Sequence, residues 1–331
     1  MKENKNLTLN NFIQIRNNDK YLFTAGPSSL IENNLLGLRP CFGRGDSDYL
    51  NIEESVMKKL KLMSGHDNLV RLQGSASLAL EIITANFLYG DILVISTGYY
   101  SDRLIDLINN SKNMFKQIKK ISVITYKNLG EITGNYDWIV SCYTETSRGF
   151  KISIKDLKSK ANELNSKIML DATASIGLEA NHELADVIGY SSCKGLFGLT
   201  GAAFIAYNQE PKVEVNSFYL NINSHINKRM TGPYHAICSL YETLKSHEEI
   251  KHSVKINKKI FIDKFKDFIN IRKEYQPLLC TFTNCKIISN SDKAVLYKPR
   301  DLKNGSIVCH LGEAHLGLKA QGEIINYLDK E

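Results

Sequence analysis

Between residues 70 and 207 short apolar runs take turns with amphipathic stretches, a rhythm that few folds accommodate. DILVIST (91–97), SVITY (122–126), DWIVSCY (137–143), KIMLDATASIG (167–177), ADVIGYSSCKG (185–195) and AAFIAY (202–207) read as strands. Their near-continuous apolar character is that of strands buried on both faces. Between them, YYSDRLIDLINN predicts a helix with Leu104, Ile105 and Leu107 inward, and SIKDLKSKANELN a helix opened by Ser153 as its N-cap. Strand and helix in alternation mean a doubly wound, mainly parallel α/β sheet.

A chain of 331 residues, 43% apolar, is long enough for one large domain and a smaller one. After residue 233 the rhythm changes. PYHAICSLYETLKSHEE reads as a helix with Pro233 in its first turn, and VKINKKIFIDKFKDFINI as a second, apolar at Ile256, Ile260, Phe261 and Phe265. Short strands (CKIISN, AVLYKP, SIVCHL) and a closing helix, QGEIINYLDK, follow. The expected division is a polar lead-in over 1–20, a large domain over 21–245 and a small α+β domain over 246–331.

Net charge is +7, from 42 Lys and Arg against 35 Asp and Glu. The lysines are scattered, with small groups such as Lys58, Lys59 and Lys61, and read as a solvated surface, not a nucleic-acid stripe. Seven cysteines, irregularly spaced and without a Cys-x-x-Cys pair, read as reduced thiols and hold no metal pattern. The polar N-terminus carries no signal-peptide apolar core, and no apolar run approaches the roughly 18 residues of a membrane helix. A soluble cytoplasmic protein is expected.

In a doubly wound sheet, ligands bind outside the carboxyl ends of the strands. Four features lie there. Lys194 follows an apolar strand among small residues, in SSCKGLFGLTG. A lone lysine is ordinarily a surface charge, but an amine at a strand end, shielded by small neighbours, is a usable nucleophile. Asp171 ends the run KIMLD, 23 residues before Lys194, which fits two successive strand ends joined by one crossover. It either caps the turn Ala172–Ser175 or serves as a buried carboxylate for a ligand's protonated nitrogen. In QGSASLALE, Gly74 and three small residues precede a helix starting near Leu78. Free backbone N–H groups and the Ser75 and Ser77 hydroxyls there make either a simple cap or a phosphate cradle. STGYYSDR brings a tyrosine pair, either for packing or as a face for a flat ring.

Together these motifs resemble the class V, fold type I aminotransferases that use pyridoxal 5'-phosphate (PLP). The likeness is greatest to the 2-aminoethylphosphonate–pyruvate and alanine–glyoxylate enzymes. It runs from about Tyr21 to Leu244, on YLFTAGPSSL, FGRGDSDY, QGSASLALE, STGYYSDR, ETSRG, LDATASIG, SSCKG and MTGPYHAICSLYETL, in the family's order. It implies a mainly parallel, seven-stranded type of sheet with a small α+β C-terminal domain. It further implies that Lys194 carries PLP covalently and acts as the catalytic base, that Asp171 pairs with the ring nitrogen, and that Tyr100 stacks on the ring. Thr146 would contact the ring hydroxyl side. Ser75, Ala76, Ser77 and Ser192 would hold the phosphate, with Thr231 reaching the site of a neighbouring subunit in a homodimer with shared sites. The implied partners are a small amine and an oxo acid, with no metal, nucleic acid or membrane.

The chain departs from the family at four points. Cys193 stands where an amide residue usually precedes the lysine, Gly232-Pro233 replaces Pro-Pro, and Arg148 replaces the third threonine of Glu-Thr-Thr-Thr-Gly. SIVCHLG (306–312) lacks the arginine that family members use for substrate acid groups. Arg148 and Arg44 are the substitutes expected here, with His310 as a weaker contact. The expected activity is ping-pong transamination, most plausibly of 2-aminoethylphosphonate with pyruvate. Alternatives are an alanine- or serine–glyoxylate type of aminotransferase, a lyase, or a desulfurase with Cys309 as its cysteine. A non-catalytic binding protein is opposed by the intact Asp171/Lys194 pair.

Overall fold

The computed structural model describes residues 8, 9, 11, 13, 20–39, 43, 45–312 and 323–331. Most of the lead-in over 1–20, and Arg44, lie outside these residues. A seven-stranded sheet runs in the order Asn68–Gln73, Ala202–Tyr207, Val187–Ser191, Lys167–Asp171, Trp138–Cys142, Gly90–Ser96, Ile118–Thr125. Ala202–Tyr207 is antiparallel to both its neighbours, and the other pairings are parallel. The inner strands WIVSC, VIGYS and AAFIAY are buried along their whole length, which is why their sequences read as near-unbroken apolar runs.

Helices cover both faces. On one side Ala76–Asn86 and Tyr99–Phe115 pack against the sheet through Leu80, Ile83, Leu104 and Ile108. On the other, Ser47–Ser64, Ile154–Glu163 and Tyr234–Thr243 do so through Val56, Leu157 and Ile237. Ser153 caps its helix as expected, accepting from the Asp156 N–H at 3.3 Å. In the Tyr99 helix the fully buried apolar positions are Leu104 and Ile108, four apart, with Ile105 and Leu107 at the margin of the core.

The C-terminal part begins with the long helix His247–Phe265, seven residues ahead of the VKINKK start expected for it. Its core gathers Phe261, Phe265, Ile287, Val308 and Leu328. Tyr21–Phe23 pairs in parallel with Ala294–Leu296, and Phe23 is buried with Phe261, so the chain's first strand belongs with the C-terminal layer, not the sheet. One expectation, the closing helix, is corrected here. The closing segment is no α-helix: Glu323–Tyr327 is a single 3₁₀ stretch, and Leu328–Lys330 pairs with Ile287–Ser289. The strand Cys280–Thr283, which pairs with Ser306–Cys309, went unread in the sequence.

Candidate active site

One narrow pocket of about 180 Å³ opens at the carboxyl ends of the parallel strands. Ser75, Ala76, Ser77, Tyr100, Thr146, Asp171 and Lys194 all line it, so the structure brings seven of the expected residues together. Arg103, Cys142, Thr144, Thr173, Ala174 and Ser191 complete the wall.

Each position follows from the local fold. Asp171 is the last residue of its strand and 2% exposed; its Oδ1 accepts from the Thr173 N–H at 2.9 Å and its Oδ2 from Arg103 at 3.3 Å. Lys194 leaves the end of Val187–Ser191 in a turn closed by Phe197 N–H donating to its carbonyl, 2.9 Å, with Phe197 in the left-handed region at φ 57°. Asn34 reaches in from another helix to hold the Phe197 carbonyl at 2.8 Å. The loop TAGPSS lies on the lysine: Ser28 N–H donates to the Cys193 carbonyl at 2.7 Å, and a Cβ on Gly26 would stand 3.1 Å from Lys194 Cγ. Behind the pocket the loops after Asp171 and Lys194 touch through backbone. A Cβ on Gly195 would fall 2.2 Å from the Ile176 carbonyl oxygen, and one on Gly177 2.5 Å from the Gly195 oxygen.

Ser75 is the N-cap of Ala76–Asn86, and its side chain makes no capping bond. Tyr100 stands in the first turn of Tyr99–Phe115, and that turn is anchored by Glu145. This carboxylate, fully buried, accepts from the N–H groups of Tyr100 and Ser101 at 3.2 Å and from Ser147 Oγ at 2.6 Å. A negative charge is stabilised at a helix start by the unpaired N–H groups there. The Lys194 Nζ lies 5.5 Å from the Tyr100 ring centroid. From the C-terminal part, Tyr297 faces Tyr100 and Thr146; burial and Tyr100 push its hydroxyl well above the ordinary tyrosine range, so it stays protonated. Burial, then Asp171 and Glu145, push the Cys142 thiol up in the same way, so no thiolate lines the pocket there.

Four expected residues stand elsewhere. Ser192 turns its hydroxyl away, donating to the carbonyls of Leu199 and Ala202, while Ser191 faces the pocket. Arg148 is bound to Asp301, donating to its carboxylate at 2.7 Å and its carbonyl at 3.2 Å, and lines a separate, wider cleft with Thr97, Gly98 and Phe150. Its guanidinium is thus engaged by the C-terminal part and stands away from the pocket. His310 is fully buried, shares a hydrogen bond with Thr281 Oγ1 at 3.1 Å and lines none of the pocket. Thr231 is exposed and also outside the pocket of its own chain.

The pocket fits PLP on its own chemistry. Its lining combines hydroxyl groups at a helix start, a buried carboxylate, an amine and an aromatic side chain. Thr144 Oγ1, Thr173 Oγ1 and Arg103 Nε are buried without a partner, so the pocket holds polar groups that a ligand must satisfy. Among the described residues no His, Cys, Asp and Glu cluster has metal-holding geometry, and no helix is long and apolar enough to cross a membrane.

No family profile matches the chain. A 2-aminoethylphosphonate–pyruvate transaminase of Polaromonas sp. (strain JS666 / ATCC BAA-500) is 22% identical over 255 residues, 70% of this chain and 68% of that protein. Among solved structures, an alanine–glyoxylate aminotransferase from Nostoc sp. superposes with a TM-score of 0.76 at 16% identity, covering 93% of each chain. A pyridoxamine–pyruvate aminotransferase from Mesorhizobium loti does so at 0.74 and 16%, over 92% of this chain and 88% of the other. The fold is that of these solved aminotransferases, and a lysine and a buried carboxylate line its pocket. In sequence and in fold the chain is similar to aminotransferases of the class that its motifs resemble.

Proposed function

We propose that the chain moves an amino group from a small amine to an oxo acid in two half-reactions at Lys194. The observation that carries this is the joint placement of Lys194, Asp171 and Tyr100 around one narrow pocket. Bound PLP supplies an electron-withdrawing ring that makes the substrate Cα–H acidic. The protein supplies the rest. Lys194 Nζ holds the cofactor and then takes the Cα proton. The buried Asp171 carboxylate keeps a proton on the ring nitrogen. Tyr100, fixed by Glu145, offers the ring a face, and the free N–H groups at the start of Ala76–Asn86 take the phosphate.

The substrate pair favoured is 2-aminoethylphosphonate with pyruvate, supported by the Polaromonas relative's name. A desulfurase reading finds little support. Cys309 ends a strand opposite Cys280 and is fully buried; burial pushes its thiol well up, the reverse of a mobile thiolate nucleophile. We further propose a cytoplasmic homodimer in which Thr231 serves the partner's site. Its exposure supports this, as do the exposed Phe218, Tyr219 and Ile226 on the stretch leading to it. An amine screen with pyruvate and glyoxylate as acceptors tests the reaction. Alanine formed from pyruvate and 2-aminoethylphosphonate is the expected result; no turnover with any amine would sink the reading.

A further inference from the structure

The phosphate of PLP carries close to two negative charges, yet the Ser75–Ser77 turn offers it only hydroxyls and backbone N–H groups. Two cationic side chains line the pocket, Lys194 and Arg103, and the Lys194 amine is committed to holding the cofactor. Arg103 lies one turn beyond Tyr100 on the helix Tyr99–Phe115, so both face the pocket. Its guanidinium donates to Ser77 Oγ at 3.3 Å and to Asp171 Oδ2 at 3.3 Å, and its carbon lies 5.3 Å from the Tyr100 ring centroid. Its Nε–H is buried without an acceptor. We propose that Arg103 is the cationic ligand of the cofactor's phosphate. This rests on the reading of the pocket as the PLP site.

Three features of the geometry converge on that role. An arginine presents a planar fork of five N–H donors suited to phosphate oxygens. Both present hydrogen bonds are long for charge-assisted contacts, which run about 2.7–2.9 Å. The orphaned Nε–H adds a donor next to one already aimed at the phosphate turn, so an oxyanion at Ser77 satisfies both. The contact with Asp171 also links the arginine to the carboxylate proposed for the ring nitrogen.

The test compares PLP with pyridoxal, which has the same ring and aldehyde but no phosphate. Each is titrated into the wild-type chain, Arg103→Gln and Arg103→Lys, and binding is read from the visible absorption that attachment to Lys194 produces. Arg103→Gln is expected to weaken PLP about ten- to a hundredfold while pyridoxal changes by less than about threefold, the range of one charge-assisted contact. Arg103→Lys, which keeps the charge but loses the fork, is expected to recover part of the PLP affinity. Equal losses for both ligands would assign Arg103 to Asp171 or Tyr100 and overturn the proposal, as would an unchanged PLP affinity. If the glutamine variant does not fold, the lysine variant decides: a PLP-to-pyridoxal affinity ratio equal to wild type refutes a phosphate contact. Wild-type protein that binds neither compound through Lys194 would instead overturn the cofactor reading itself.

Discussion

Asp171 stands opposite Gly189 in the parallel register of two neighbouring strands, and Lys194 follows five residues further along the second of them. The carboxylate and the amine therefore leave the sheet side by side, at the same edge and into the same pocket. Their separation in sequence is the length of one crossover, and the chemistry proposed for them depends on that adjacency.

Replacing Lys194 by alanine removes both the covalent anchor and the base. Transamination should fall by several orders of magnitude with the fold intact. Borohydride reduction followed by peptide mapping checks the anchor. A reduced adduct on any other lysine would transfer the role elsewhere.

Asp171→Ala should retain PLP, through Lys194 and the phosphate turn, yet transaminate poorly, because an unprotonated ring draws electrons weakly. PLP content and single-turnover rate, measured on the same sample, separate the two effects. A rate close to wild type would reduce Asp171 to a cap on Thr173, whose N–H it accepts at 2.9 Å.

Arg148 is held by Asp301, and its side chain is 40% exposed, so Arg148→Ala should leave the KM for oxo acids within about threefold and cost about 0–1 kcal/mol of stability. Steady-state kinetics with pyruvate and glyoxylate decide it. A KM raised ten- to a hundredfold would return the residue to the substrate's acid group.

Light scattering at micromolar concentration should give twice the chain mass, and Thr231→Ala should weaken PLP without altering that mass. A fully active monomer contradicts the shared-site arrangement.

Acid should destabilise the fold before any carboxylate titrates. Burial, with His66 and Lys251 nearby, holds the His182 imidazole down at about 3, and its Nε2 meets Ser175 Oγ at 2.9 Å. Burial also lowers His66 and His247. The unfolded chain takes up protons on these rings near pH 6.5 and the folded chain does not, so stability is full above that value. For His182 it is lost as pH falls towards about 3, at about 1.4 kcal/mol per pH unit. Melting temperature followed from pH 7 to pH 4 should fall, and His182→Asn should flatten the decline. A melting temperature independent of pH over that range would refute this.

Much of this was legible in the sequence because buried parallel strands announce themselves as apolar runs and place functional residues at their ends. What was missed has identifiable physical causes. Ser191 and Ser192 are adjacent at a strand end, where consecutive side chains point to opposite sides, so choosing between them needs the register and not the motif. Arg103 had a signal, its spacing of three from Tyr100 on a predicted helix, which a face-by-face reading of STGYYSDR would have caught. Tyr297 had none, since a loop from the far end of the chain carries it in. Arg148 was read from its motif, but its partner Asp301 lies 153 residues away. The closing segment QGEIINYLDK reads as a helix in the sequence; the strand pairing of Leu328–Lys330 with Ile287–Ser289 overrides local preference.

The backbone contact between the turns at Gly177 and Gly195 bears on how the pocket can be altered. Peptide meets peptide there, with the His247 and Leu178 side chains packed alongside. The distance from carboxylate to amine is therefore fixed by main-chain geometry, and any residue larger than glycine at either place would drive the two apart. The surrounding side chains are under no such restriction. This is how a solved aminotransferase can keep 16% of the residues and still superpose at a TM-score of 0.76. Changes to the pocket therefore have little room at those two glycines.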